Sequence, residues 1–200
     1  MNAGDRKKNT PLIRAACEGR REIAGMLIDA GAKVDAKGFG SYTALAYAVK
    51  EGEAETAAML IKAGADVNIK GYGRYTPLHF AVESGGAEKV KMLIDAGAEV
   101  EAENLFARTP LAEAAEKGFT EILKLLADKG ADINARDNEQ NSPLMLGAEK
   151  GHLDAVKELV RRGAHINIRN KDGDTALSLA QKSGSKETAL FLLSAGALEG

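Results

Sequence analysis

Side chains able to do acid–base, nucleophilic or metal chemistry are few in this sequence. It holds three histidines, His79, His152 and His165, and a single cysteine, Cys17. A metal site needs several such ligands converging, and a catalytic imidazole needs a partner within hydrogen-bond reach. His79 follows a Pro-Leu pair, His152 follows a glycine at a helix junction, and His165 lies in a loop, so none has another for a neighbour. His79 reads as a side chain bonding across a helix–loop junction. Cys17 falls near the end of a short helix, away from the helix N-terminus that would lower its pKa, and is not expected to be a nucleophile. Gly38-Phe39-Gly40 and Gly71-Tyr72-Gly73 mimic half of a phosphate-cradling loop. They follow no strand and lack the third glycine at a helix start, so they read as loop tips. No catalytic residue, metal or cofactor is expected, and the chain is not expected to be an enzyme.

Charge and composition narrow the class further. Lys and Arg total 27 against 29 for Asp and Glu, a net charge of -2 that gives no bulk field towards nucleic acid or anionic lipid. Neither is expected as a partner, nor is a small-molecule substrate. A hydrophobic share of 44% suffices for a packed core. One cysteine excludes an intramolecular disulfide and fits a reducing compartment. No apolar run approaches the roughly 18 residues of a spanning helix, and no leader follows Met1. A cytoplasmic protein is expected.

The elements that position these residues are set by a repeat. Thr10, Thr43, Thr76, Thr109, Ser142 and Thr175 each have a Leu two positions on, in steps of 33. The same step carries Gly19 to Gly184, Leu27 to Leu192, and a Gly-Ala pair from Gly31 to Gly196. Each column has a physical reason. The hydroxyl caps the start of a first helix, with Pro11, Pro77, Pro110 and Pro143 beside it where a missing N–H costs nothing. That helix runs about eight residues to a glycine suited to a left-handed cap. An acidic column, Glu22, Glu55, Glu88, Glu121, Asp154 and Glu187, then suits the positive end of a second helix. Apolar positions such as Ile122, Leu125 and Leu126 give it a buried stripe. The dozen residues left over, each with one anchor such as Val67 or Ile133, form a loop or short hairpin. Helices this short do not stand alone in water, so the units must stack.

The segments Thr76 to Gly85 (TPLHFAVESG) and Gly64 to Asn68 (GADVN) resemble the ankyrin repeat family, across residues 10 to 197. The resemblance implies an all-α repeat solenoid of helix-turn-helix pairs with β-hairpin or loop fingers. It implies one domain over 1–200: an N-capping repeat and first finger at 1–42, internal repeats at 43–75, 76–108, 109–141 and 142–174, and a C-capping repeat at 175–200. Arg20 and Arg21 are expected on an open N-terminal flank. Gln181, Lys182, Ser183, Ser185 and Lys186 are expected to close the other end, which stops at Gly200 without another loop. Capping at both ends speaks against a fragment of a larger protein. The resemblance also suggests Asn68, Asn134 and Asn167 as conceivable substrates of an asparaginyl hydroxylase.

In that family the fingers and first helices line a concave face that meets protein partners. Five of the nine aromatics, Phe39, Tyr42, Tyr72, Tyr75 and Phe106, fall in three consecutive fingers. At about 10 Å per repeat they would form an apolar stripe of the kind that anchors interfaces. Stacking of Phe39 on Tyr72 to stiffen the fingers is the competing reading. The expected partner-binding set is Phe39, Tyr42, Tyr72, Arg74, Tyr75, Leu105, Phe106, Arg108 and Asn138, with Lys50, Glu83 and Glu116 on the first helices. Lys37, Lys70, Arg136 and Arg169 make a basic row at the finger bases, interrupted by Glu103, beside an acidic helix row. The expected function is non-enzymatic binding of another protein on this face, with a homodimer through the aromatic stripe possible. The alternative is an engineered or ancestral scaffold without a dedicated partner.

Overall fold

The structure, a computed structural model, describes residues 2–198; Met1, Glu199 and Gly200, and with them the expected end at Gly200, lie outside the described residues. Among the described residues there are twelve α-helices and no strand, in two compact units that divide between Glu99 and Val100. In the first unit α1 (Pro11–Cys17) pairs with α2 (Arg21–Asp29), α3 (Ala44–Glu51) with α4 (Ala54–Lys62), and α5 (Pro77–Glu83) with α6 (Ala87–Asp95). In the second, α7 (Pro110–Lys117) pairs with α8 (Thr120–Asp128), α9 (Pro143–Glu149) with α10 (Leu153–Arg161), and α11 (Ala176–Lys182) with α12 (Lys186–Ser194). Within each unit the pairs form layers, α3 lying against α1 and α5, and α9 against α7 and α11.

The hydroxyl column does what its chemistry dictates. Thr10, Thr43, Thr109 and Ser142 each accept from the backbone N–H three residues on at 3.3 Å. At Thr76 the cap is reciprocal: His79 Nδ1 accepts from the Thr76 backbone N–H at 3.2 Å and lies 2.8 Å from its hydroxyl. His79 is fully buried, bonding across the helix–loop junction. The first helices end at glycines in the left-handed region, as at Gly52, where φ is 91° and a side chain would be strained. The second helices lack a side-chain cap and carry their acidic residue in the first turn instead. Leu45, Leu78, Leu111 and Leu144, two residues after each hydroxyl, are essentially fully buried and form the spine of the layers.

The linker takes the loop form. Each loop is closed by one backbone bond from the first residue to the fifth: 38 to 42, 71 to 75, 104 to 108, 137 to 141 and 170 to 174, at 2.9–3.1 Å. The segment before Thr10 belongs to the same series, because Asp5 N–H donates to the Asn9 carbonyl at 3.0 Å. In place of strand pairing, the loops are tied layer to layer by one column of side-chain oxygens. Asn2, Asp35 and Asn68 accept from the backbone N–H of Lys33, Asp66 and Glu99, and Glu101, Asn134 and Asn167 from those of Asp132, His165 and Leu198. Every one of these bonds joins residues 31 apart. The asparagines at 68, 134 and 167 also donate to the carbonyls of Gly97, Gly163 and Gly196.

The end layers differ from expectation in charge. Arg21 reaches Glu55 on α4 at 2.6 Å, so it ties α2 to its neighbour, while Arg20 pairs with Glu18 at 2.8 Å. The outer side of α2 exposes Ile23 and Met26 instead. In the last layer Gln181, Lys182, Ser183 and Lys186 are exposed and Ser185 is half-buried, but so are two apolar side chains open to solvent, Leu190 and Leu198.

Replacing Asn68 by Ala should lower stability by about 1–2 kcal/mol, since two backbone partners lose their bonds; Asp, which keeps the acceptor, should cost about half as much. Denaturant unfolding of both variants checks the order. A second expectation concerns Glu158, a buried carboxylate on α10. Hydrogen bonds from Arg161 at 2.6 and 2.9 Å and Arg162 at 2.5 Å, opposed by burial, hold its pKa down from 4.5 to about 2. A depressed carboxylate stabilises the fold above its unfolded pKa and loses that contribution as pH falls through the folded one. Thermal melts should therefore show stability falling between pH 4.5 and about 2, and Glu158→Gln should be less stable at neutral pH with a shallower acid limb.

Candidate interaction surface

In the first unit the aromatics separate into two sets. Tyr42 and Tyr75 turn inward: Tyr42 meets Tyr47 and Phe80 edge-on at 5.9 and 5.2 Å, and Tyr75 lies 5.6 Å from Phe80 and 5.3 Å from His79. Both are half-buried, and burial, then the nearby Glu83 charge, pushes the Tyr42 hydroxyl up from its ordinary pKa. Phe39 and Tyr72 turn outward, 63% and 77% exposed. Among the described residues no ring contact joins Phe39 to Tyr72; the stiffening role falls to Tyr42 and Tyr75.

The outward rings sit on backbone that is held in place. Phe39 N–H donates to the Asn9 carboxamide at 2.9 Å, and its carbonyl accepts from the Tyr47 hydroxyl at 3.0 Å. The Tyr72 carbonyl accepts from the Tyr42 hydroxyl at 2.8 Å. Gly71 has φ -97°, which any residue adopts, so what it provides is space: a Cβ there would stand 2.0 Å from the Tyr42 ring. Gly38 makes the same room for Asn9, whose Oδ1 would lie 2.3 Å from a Cβ. In the second unit the equivalent positions are Asn104, Asp137 and Asn170, whose side chains close their own loops onto the N–H groups two and four residues on.

The loops of the first unit enclose an open groove of about 540 Å³ lined by Phe39 and Tyr72 with Arg6, Lys7, Lys8, Lys37 and Lys70. No acidic residue lines it. The binding set expected from the sequence lacks three of these cations, Arg6, Lys7 and Lys8. The signal was available, since Asp5 to Thr10 has the spacing of Asn104 to Thr109. Arg74 is exposed at a loop tip with φ 61°. Lys50 lies 5.6 Å above the Phe80 ring, and Glu83 is exposed on α5.

In the second unit the expected site residues are more tied. Leu105 and Phe106 are 56% and 63% exposed. Arg108 is clamped between Glu116 at 2.7 Å and Asp137 at 3.2 Å. Burial works against its charge, but the two carboxylates outweigh it and raise its pKa. Asn138 bridges neighbouring loops, its N–H donating to the Phe106 carbonyl at 2.9 Å and its amide to Leu105 at 3.0 Å. Arg136 and Arg169 of the basic row are likewise spent on loop carbonyls, those of Gln140, Arg169 and Gly173.

Among the described residues no group of three or more His, Cys, Asp or Glu side chains is placed to hold a metal ion, and no helix is long and apolar enough to cross a membrane. Burial, then the charges of Glu51 and Glu18, raises the Cys17 thiol pKa, which opposes nucleophilic use.

Comparison with known families gives the class. The family described as "Ankyrin repeats (3 copies)" matches residues 35–104, 78–170 and 111–198, and "Ankyrin repeat" matches residues 7–39. The chain belongs to the ankyrin repeat family, whose repeats generally serve as protein–protein interaction modules and typically carry no enzymatic activity. No curated protein matches it.

Gly71→Ala should destabilise the first unit by about 1–3 kcal/mol, because the Tyr42 ring would have to leave its contacts with Tyr47 and Phe80 and its bond to the Tyr72 carbonyl to make room. In a Tyr42→Ala background the same change should cost almost nothing. The coupling in a double-mutant cycle measured by urea unfolding checks it.

Proposed function

We propose that the chain is one ankyrin repeat domain divided at 42/43, 75/76, 108/109, 141/142 and 174/175, and that it binds a partner protein non-covalently through the loop tips and adjoining first helices. The anchors in the first unit are Phe39 and Tyr72; in the second they are Leu105 and Phe106. Of the twelve positions expected from sequence, Tyr42, Tyr75, Arg108, Glu116 and Asn138 support the surface from beneath, and Arg74, Lys50 and Glu83 border it. The observation that carries this reading is two large rings left in water on a backbone held by three side chains. An exposed aromatic on a rigid support loses little conformational entropy on binding, which is what an interface anchor requires.

The test is affinity capture from the source lysate with the wild-type chain and with Phe39→Ser/Tyr72→Ser. The variant should fold with unchanged helical circular dichroism and melting, and should lose the captured partners by about tenfold or more. Equal capture by both proteins would discard these anchors. Light scattering of both proteins separates self-pairing from binding of another chain, because a dimer through this stripe would be lost in the same variant.

A further inference from the structure

Five cations around two exposed rings define a ligand more narrowly than the family does. Arg6, Lys7, Lys8, Lys37 and Lys70 line the groove beside Phe39 and Tyr72, and none of their side chains makes an ion pair or hydrogen bond with another described residue. Elsewhere in the first unit several cations are matched, Arg20 with Glu18, Arg21 with Glu55 and Lys91 with Asp95, whereas here five line one groove with no acid among them. Asp5, the nearest acid in sequence, turns its Oδ1 back onto the N–H groups of Lys7 and Asn9. The groove is thus a strip of unmatched positive charge in a chain whose net charge is -2.

We propose, building on the interaction reading above, that this groove takes an extended acidic peptide segment bearing aromatic side chains. Its carboxylates would neutralise the lysines along the strip, and its rings would pack on Phe39 and Tyr72. Both contributions are needed, since exposed charge pairs alone bind weakly and are screened by salt. A single-stranded nucleic acid would also use cations and rings. It is disfavoured by the setting: the patch is local, and four of its five cations are lysines without the fork that grips phosphate. A peptide can confine its charge to the strip.

Fluorescence anisotropy with four labelled probes tests this on the full chain: a peptide alternating glutamate and tyrosine, its lysine-for-glutamate and serine-for-tyrosine counterparts, and an oligodeoxythymidine. The acidic aromatic peptide should bind about tenfold or more tighter than either counterpart and the oligonucleotide, and should weaken as salt rises. Lys7→Glu/Lys37→Glu/Lys70→Glu, and separately Phe39→Ser/Tyr72→Ser, should each weaken it by about tenfold with melting unchanged. No binding, binding indifferent to either substitution in the peptide, or tighter binding of the oligonucleotide would overturn the proposal. If the peptide series fails while lysate capture still depends on Phe39 and Tyr72, the acidic specificity alone is wrong. If capture is also indifferent to them, the anchors themselves are wrong.

Discussion

A side-chain oxygen bonded to a backbone N–H thirty-one residues further on is the contact on which the loops of this protein depend. The helices run seven to nine residues, too short to persist in water without burying their apolar faces on a neighbouring layer. Leucine burial supplies that driving force but does not say where the loops go. With no strand among the described residues, backbone pairing between loops comes down to single bonds in the second unit, from Asn138 to Phe106 and from Lys171 to Glu139. The column from Asn2 to Asn167 ties the loops one bond at a time. It is indifferent to charge: Asp35 and Glu101 accept as Asn68 and Asn134 do. What it requires is an oxygen of the right reach.

Within each unit, Asn9, Tyr42, Arg108 and Asn141, each standing just before a hydroxyl, reach the next loop, and their identity bears on how that loop is built. Asn9 and Tyr42 reach forward into the places where Gly38 and Gly71 lack a side chain. Arg108 reaches Asp137, and Asn141 accepts from the Asn170 amide at 2.9 Å. The two halves of the chain thus solve one geometric problem with different chemistry. In the second unit, and at Asp5 in the first, a polar side chain closes the loop on itself, whereas at Gly38 and Gly71 an amide or ring from the preceding layer fills the place. The consequence is functional. Rings spent on support in the first unit leave Phe39 and Tyr72 outward, with their lysine neighbours unmatched.

The helical layers were legible in the sequence because their determinants are local. A hydroxyl before Pro-Leu, a glycine eight or nine residues on, and an acid shortly after it each act on backbone groups within one turn, so spacing alone reveals them. The loops were much less legible. Tyr42 and Phe39 are both aromatic, three residues apart, in the same tip, yet one is packed and the other exposed; the difference is made by Phe80 and Tyr47. Arg21, expected on an open flank, is exposed there but also bridges to Glu55. Asn68, Asn134 and Asn167 stood out as possible modification sites, while Asp35 and Glu101, which bond alike, did not, because no letter pattern joins Asn, Asp and Glu. Phe80 for Tyr42, Glu55 for Arg21 and the N–H groups that the oxygen column meets all lie about thirty to forty residues away, beyond what periodicity within a repeat conveys.

The same reasoning separates charges that hold the fold from charges left to meet a ligand. Arg108, Arg136, Arg162 and Lys182 are each engaged by internal acceptors, and a partner could recruit them only by breaking those bonds. Truncating such a group leaves its acceptor unmet, at greatest cost for the buried Asp137 beside Arg108 and Glu158 beside Arg162, so its loss would register as instability before it registered as weaker binding. The lysines around Phe39 and Tyr72 have no such commitment. Bringing a carboxylate to their ammonium groups adds an opposite charge without dismantling an ion pair beneath. A rigid aromatic pair supplies the burial that makes the contact specific. Support and recognition therefore rest on different residues within the same loops, which lets the recognition residues vary without cost to the layers.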